Sequence, residues 1–294
     1  MTTFTTYNQI GQAEDVSDII MDITPTDTPM TSMMKSEKVS ARTFSFLEDS
    51  LRAAASNAKV EGADSTDVTL TDVTERTNNT QILSESFKIS ATSDAVRTHG
   101  RAKETAYQLG RTLKNIKKDL EFSYVGVDQA AVAGNATTAR KMQSLINQIS
   151  TAVDAGANAS DALTEAKLLT AGQTAYDNGS DPTVFMIKAA DSTIVAGFAA
   201  SAGRNREIAQ GKTLTNVVDL YISPFGEYKV VLNRHLESSH ALLIDPTMFK
   251  QCVLRPFTRT LLSKNGDSDR HYVVGEYSCK HSNFGDSVKI TGLS

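Results

Sequence analysis

An apolar stripe through residues 101–131 constrains this chain more than any other feature. Ala102, Ala106, Leu109, Leu113, Ile116, Leu120, Val127 and Ala131 recur at spacings of three, four or seven. Such spacing places them on one face of a continuous helix. At 1.5 Å per residue the helix is about 46 Å long, more than an ordinary small domain needs. Gly110 and Gly126 each weaken it by about 1 kcal/mol relative to alanine. Arg111, Lys114 and Lys118 share the opposite face, mixed with Glu104, Asp119 and Glu121. That face suits either phosphate binding or a solvated, partner-facing surface, and the mixed signs favour the second.

Around this helix the pattern changes. Residues 1–40 read as an extended arm. Val16, Ile19, Ile20 and Ile23 are followed by "TPTDTPM", whose Pro25 and Pro29 disfavour helix. The arm has too little apolar surface to form a core, so loss of residues 1–34 is expected to leave a folded, assembly-defective chain. Residues 38–92 read as a long β excursion, rich in Val, Thr, Phe and Ile. Phe87, Ile89 and Ala91 alternate with Lys88, Ser90 and Thr92, giving an apolar and a polar face. "LRAAASNAKVEGADS" has the look of a mobile tip. Arms of ten residues reach about 33 Å. A thin two-stranded projection is only marginally stable alone and predicts a partner surface. Residues 41–75 hold seven acidic and three basic residues.

Residues 135–240 read as a compact α/β unit. "SDALTEAKLLTAGQTAYDNG" is a helix with a Ser160/Asp161 cap and a Gly179 stop. "PTVFMIKA" is a buried strand and "DSTIVAGFAAS" a helix capped by Asp191. "VVDLYISPFGEYKVVLNRHL" is a pair of strands joined at "PFGE". Residues 241–294 return to β structure with "ALLIDP", "RHYVVGEYSCK" and "SVKITGL".

Bulk properties exclude several classes. Thirty basic against 34 acidic residues give a net charge of −4, unlike a dedicated nucleic-acid coat, which is clearly basic. Helix 101–121 is locally basic, with six Lys and Arg against three acidic residues, but no aromatic platform accompanies it. Cys252 and Cys279 are too few for a disulfide framework, and a reducing compartment is expected. No apolar run reaches the length of a membrane span. The N-terminal stretch lacks a basic region and an apolar core, so no signal peptide is expected. "AQGKT" at 209–213 approaches a phosphate-binding loop, but Arg206 stands where its first glycine is required. Arg204 and Arg206 then read as part of a partner-facing surface loop. His99, His235, His240, His271 and His281 form no metal-binding pattern, and His235 and His240 read as surface or interface residues. No Gly-x-Ser-x-Gly elbow occurs, and Glu48/Asp49 lie in the β excursion rather than a cleft. Cys252, between apolar stretches, reads as a small buried hydrophobe. An enzyme is not expected, and neither a cofactor nor a metal.

The order arm, β excursion, long helix, α/β unit, returning strands resembles the major capsid proteins of tailed bacteriophages with the Hong Kong 97 fold. "ITPTDTPM" at 23–30, "NNTQILSESFKISATSDAV" at 78–96, "AYQLGRTLKNIKKDLE", "LIDPTMFKQCVLRPF" at 243–257 and "GDSDRHYVVGEYSCKHSNFGDSVKITGL" at 266–293 carry the resemblance. It implies an α+β fold with an N-terminal arm (1–37), an extended loop (38–92), a peripheral domain (93–134 and 241–294) holding the spine helix, and an axial domain (135–240). It implies self-assembly into hexamers and pentamers of an icosahedral head around double-stranded DNA, in a virion assembled in the host bacterial cytoplasm. Partners implied are further copies of the chain, a portal, a separate scaffold protein, a possible decoration protein, and DNA held non-specifically; no membrane is implied. An encapsulin-like compartment shares the fold and is the alternative. Candidate contacts between subunits are the acidic Asp64, Asp67, Asp72 and Glu75 of the excursion. They face Arg111, Lys114 and Lys118, or Arg97 and Arg101, of a neighbour.

Overall fold

A computed structural model describes residues 27–64, 67–70, 72–96, 103–154, 162–201, 220–264 and 266–293. Arg97, Arg101, Ser160, Asp161 and the 209–213 loop lie outside the described residues. Two sheets and a ribbon organise the chain. Strands β1 (Lys35–Lys38), β4 (Gln81–Ser90), β10 (Phe249–Leu262) and β11 (Ser268–His281) form a four-stranded sheet in the order β1-β10-β11-β4. Its β1/β10 pair is parallel and the others antiparallel. Strands β5 (Thr151–Asp154), β6 (Val184–Ile187), β7 (Leu220–Ser223), β8 (Gly226–Leu232), β9 (Ala241–Ile244) and β12 (Val288–Thr291) form a six-stranded sheet, ordered β5-β12-β9-β6-β8-β7. Strands β2 (Thr43–Glu48) and β3 (Thr74–Asn79) pair only with each other.

The helices are α1 (Pro29–Met33), α2 (Ala91–Ala95), α3 (Glu104–Val125), α4 (Leu145–Gln148), α5 (Glu165–Asp177) and α6 (Ala189–Ser201). Helix α3 is the sequence-predicted spine, shorter than the stripe suggested. Its 22 residues span about 33 Å. It lies on the four-stranded sheet, where the Tyr124 hydroxyl donates to the Ser278 carbonyl at 3.3 Å and Asn115 Nδ2 to Glu85 Oε1 at 3.4 Å. Asp94 of α2 caps it from a distance, accepting from Thr105 N at 3.1 Å and from its Oγ1 at 3.0 Å. The helix stops where Gly126 passes beneath another backbone segment. A Cβ there would sit 2.7 Å from the His235 carbonyl oxygen, and the Val125 carbonyl accepts from Glu237 N at 3.0 Å. Val127 and Ala131 therefore fall outside it. The buried face is also rotated from the apolar stripe. Thr112, Ile116, Leu120, Glu121, Ser123 and Tyr124 face inward, while Leu113 is 43% exposed.

Two clusters form the core, one on each side of the six-stranded sheet. Val184, Met186, Leu242 and Ile244 pack with Leu120, Tyr124, Met142, Ile146 and Phe249. Phe185, Ile187, Leu243, Val288 and Ile290 pack with Leu168 and Ala171 of α5 and Val195 of α6. Burial on both faces explains why β6 reads "VFMI" and β9 "ALLI" without alternation. It also changes the grouping expected from sequence. Strands β9 and β12, read with the returning peripheral set, lie in the sheet of the α/β unit, and only β10 and β11 return to α3. A run of four apolar residues cannot announce which sheet it joins.

Four further expectations are corrected. Pro29 starts helix α1 rather than preventing it, because at the first helical position its missing N–H has no partner to lose. Met30 and Met34 then enter the core at 1% and 7% exposure, so the described part of the arm is integral to the fold. The excursion is shorter than residues 38–92: its paired arms are six residues each, and 81–90 is a sheet strand whose odd-numbered side chains turn inward. Helix α5 begins at Glu165 under a Thr164 cap, four residues after Asp161, and stops as read before Gly179 at φ +76°.

Candidate assembly interface

The ribbon β2/β3 carries segment 49–73, and its root is fixed by buried polar groups. Asn78 is 1% exposed and uses both ends of its amide. Its Nδ2 donates to the carbonyls of Cys279 (2.7 Å) and Gln143 (3.2 Å), and its Oδ1 accepts from Gln143 N and Asn79 N, both at 2.7 Å. Beside it Glu276, 5% exposed, accepts from Thr80 Oγ1 at 2.8 Å and Arg255 Nε at 3.0 Å, and pairs with Arg140. On the other side Glu48 binds Arg76 Nε at 2.7 Å and accepts from Phe284 N at 2.9 Å. The Arg76 guanidinium lies 4.7 Å over the Phe284 ring, which also meets Phe46 at 6.0 Å. A buried carboxylate is tolerable only with such a complete set of donors. The result is a projection with a fixed base.

Beyond that base, the described residues of segment 49–73 are exposed. Leu51 is 96% exposed, Leu70 92%, Val60 81% and Val68 72%. Asp64, Asp67, Asp72 and Glu75 are exposed among them. On α3, Arg111 and Lys114 are exposed and Lys118 half-buried; the Arg111 guanidinium lies 5.8 Å over the Tyr107 ring.

A second junction joins the arm to the spine. Glu121, fully buried on α3, accepts from Met30 N (2.9 Å), Thr31 N (2.8 Å), Thr31 Oγ1 (2.6 Å) and Asn233 Nδ2 (2.7 Å). Three distant segments thus meet on one carboxylate. Sequence reasoning placed Glu121 on the solvated face, because a buried acid with well-placed donors looks like a surface acid. At about 100° per residue it lies about 60° from both Lys118 and Tyr124, so its phase gave no signal.

The titratable groups in the interior are set for inertness. Burial pushes the Cys252 thiol up to about 12 and raises that of Cys279 well above its ordinary value; both are free and buried, as read for Cys252. A thiol reagent is expected to label the native chain more than about 100-fold more slowly than the denatured chain, which should take up label at both cysteines. Fast labelling of native protein would contradict this burial. Three histidines are interior rather than surface residues: His240, His271 and His281 are 8%, 3% and 0% exposed. Burial lowers the pKa of all three, that of His281 to about 3, so each is neutral at pH 7. Among the described residues no cluster of His, Cys, Asp and Glu could hold a metal, and no helix is long and apolar enough to cross a membrane.

The whole chain, residues 1–294, matches the model of the SU10 major capsid protein family. The chain belongs to that family. A curated relative, the major capsid protein of Escherichia phage Phieco32, is 26% identical over 96% of this chain and 94% of its own length. Among solved structures, the capsid asymmetric unit of cyanophage A-1(L) aligns with a TM-score of 0.69 at 13% identity, covering 96% of this chain and 97% of that one. The holo-SrpI encapsulin complex of Synechococcus elongatus aligns at 0.64 and 10% identity, covering 100% and 96%. The likeness to solved capsid structures establishes an α+β fold of the Hong Kong 97 type. Membership of the family assigns the chain to the major capsid proteins of phages, a structural class.

Proposed function

We propose that this chain tiles an icosahedral phage head, closing into hexamers and pentamers around packaged double-stranded DNA. The observation that carries this reading is the rooted, bare projection. Leu51 and Leu70 stand more than nine-tenths in water on a base held by the Arg140–Glu276 and Arg76–Glu48 ion pairs. A single chain gains nothing from that arrangement, whereas a ring of copies covers each projection with the next subunit. In this reading α3 with the four-stranded sheet is the peripheral domain, and the six-stranded sheet with α5 and α6 is the axial domain. Segment 49–73 is the extended loop, and the residues before Asp27 are the arm. The chain's work is mechanical rather than catalytic. Its portal, its separate scaffold and any decoration protein are other chains, and the shell forms in the host cytoplasm before becoming part of the virion. Negative-stain images of assembled protein test the shell. Its contents separate a genome container from an encapsulin-like compartment: nucleic acid supports the first and a cargo enzyme the second.

Within the shell, the acidic excursion lies against basic residues of the next tile, with Arg111, Lys114 and Lys118 as one set and Arg97 and Arg101 as another. Each exposed pair is worth only about 0.2–1 kcal/mol, but a closed shell repeats it at every subunit. Replacing Asp67 and Asp72 by lysine should lower assembly yield at low salt and leave the chain folded. The deficit should shrink as salt rises, because charges screen over about 8–10 Å near physiological ionic strength. Equal yields at low salt would make the acidic surface merely solubilising.

A further inference from the structure

The side of the four-stranded sheet away from α3 carries two cations that the chain leaves unpaired. On β4 the odd-numbered side chains turn toward α3, so Ser84, Ser86 and Lys88 face the other way, and all three are exposed. Residues opposite one another in an antiparallel ladder share a face. The register therefore lays rows across β4, β11 and β10 on that face. One holds Ser84, Val274 and Thr258, the next Ser86, Tyr272 and Thr260, and the third Lys88, Arg270 and Leu262. The third row sets two exposed cations directly opposite each other, with Cβ atoms about 4.5–5.5 Å apart. Like charges so placed destabilise a sheet. Among the described residues neither Lys88 nor Arg270 has an ion-pair partner. Asp269, next to Arg270, is paired with Lys264 at 2.9 Å. Asp267 precedes β11 and lies outside the ladder. Asp94 is taken up by Thr105. Glu276, on the same face, stands three rows away and is bound by Arg140 and by Arg255 at 3.0 Å.

An anion bridging Lys88 and Arg270 turns this repulsion into two attractions. The charge count selects its class. Two adjacent cations match a dianion, and phosphate with a free second ionisation carries about −1.5 to −2 near pH 7, where a carboxylate carries only −1. The planar guanidinium takes two oxygens of such a group in a fork, and the ammonium adds a point charge. Ser86 and Tyr272, in the adjoining row about 6.6 Å along the strands, bring neutral hydroxyl donors to its edge. We propose that Lys88 and Arg270, flanked by the Ser86 and Tyr272 hydroxyls, form a binding site for a phosphate-type oxyanion. Free phosphate and the backbone phosphates of a nucleic acid are its two sources. The site is complete within one chain and so does not depend on the shell reading.

The test is calorimetric titration of inorganic phosphate into the full chain, in chloride buffer of matched ionic strength, beside R270Q, K88Q and R270K. Wild type should bind one phosphate per chain, saturably. R270Q and K88Q should each weaken binding about tenfold or more, the scale of one lost hydrogen bond to a charged group. R270K keeps the charge and loses the fork, so it should fall between. Neither glutamine variant should melt below wild type in chloride, because each removes a like-charge contact. That comparison separates lost binding from lost folding. Acetate at the same concentration should not displace phosphate; equal competition overturns the assignment to phosphate. A short DNA duplex identifies the source. Duplex binding that weakens in both glutamine variants supports a nucleic-acid phosphate, and binding of free phosphate without duplex supports the ion. Binding of neither, or equal binding by wild type and both glutamine variants, overturns the site.

Discussion

A chain shortened to begin at Lys35 is expected to lose its cooperative fold, whereas one beginning at Asp27 keeps it. The shorter chain lacks Met30 and Met34, which are 1% and 7% exposed in the core beside Leu120 and Tyr124. Truncation of a buried methionine to alanine costs about 2–5 kcal/mol, and here two whole side chains leave. Glu121 also loses Met30 N, Thr31 N and Thr31 Oγ1, three of its four donors, and keeps only Asn233 Nδ2. A buried charge stripped of its partners costs about 3–5 kcal/mol more. The sum rivals the 5–15 kcal/mol that holds a typical domain together. Near-ultraviolet circular dichroism and a thermal melt of both truncations decide the matter. An unchanged melting temperature for the chain starting at Lys35 would show that α1 is dispensable. E121Q in the full chain isolates the carboxylate: it keeps two segments joined through its carbonyl and should be destabilised less than the truncation.

Stability is expected to fall steeply as the pH drops below about 6.5. His281 stacks on Phe249 with ring centroids 4.2 Å apart and lies 5.9 Å from the Phe284 ring. Its Nε2 meets Ser287 Oγ at 3.3 Å, and its Nδ1 has no hydrogen-bond partner. Burial lowers its pKa from 6.5 to about 3 in the folded chain. Below the unfolded value, the unfolded chain takes up a proton that the folded chain refuses. The folded state therefore loses about 1.4 kcal/mol per pH unit until its own pKa is reached. His240 and His271 act in the same direction. Asp191 and Asp286, whose carboxyls burial pushes up, act oppositely and gain stability on acidification. The contribution of His281 is therefore read by difference, from denaturant midpoints of wild type and H281L between pH 4 and 7. The wild-type curve should be steeper by about one proton. Parallel curves would show that His281 is not held neutral.

Much of the architecture was legible from spacing. The phase of Ile116 and Leu120 marked α3, the alternation at 87–89 marked β4, and "PFGE" marked the β7/β8 turn. The family resemblance ordered these parts. The candidate interface was legible only as composition. The acidic count of residues 41–75 was visible, but not that Asn78, Glu276 and Arg140 would anchor its root, since they are scores of residues apart in the chain.

Local periodicity and side-chain chemistry thus settled most element types and the net charge of each segment, because they depend on neighbours within a few residues. Three things waited for the tertiary structure. The end of α3 depends on the carbonyl of His235, the sheet that receives β9 and β12 depends on β6, and the burial of Glu121 depends on donors from Met30, Thr31 and Asn233. Each is a pairing across tens to more than a hundred residues. A buried acid and a surface acid are the same letter in a sequence, and only the donors that converge on it make the difference.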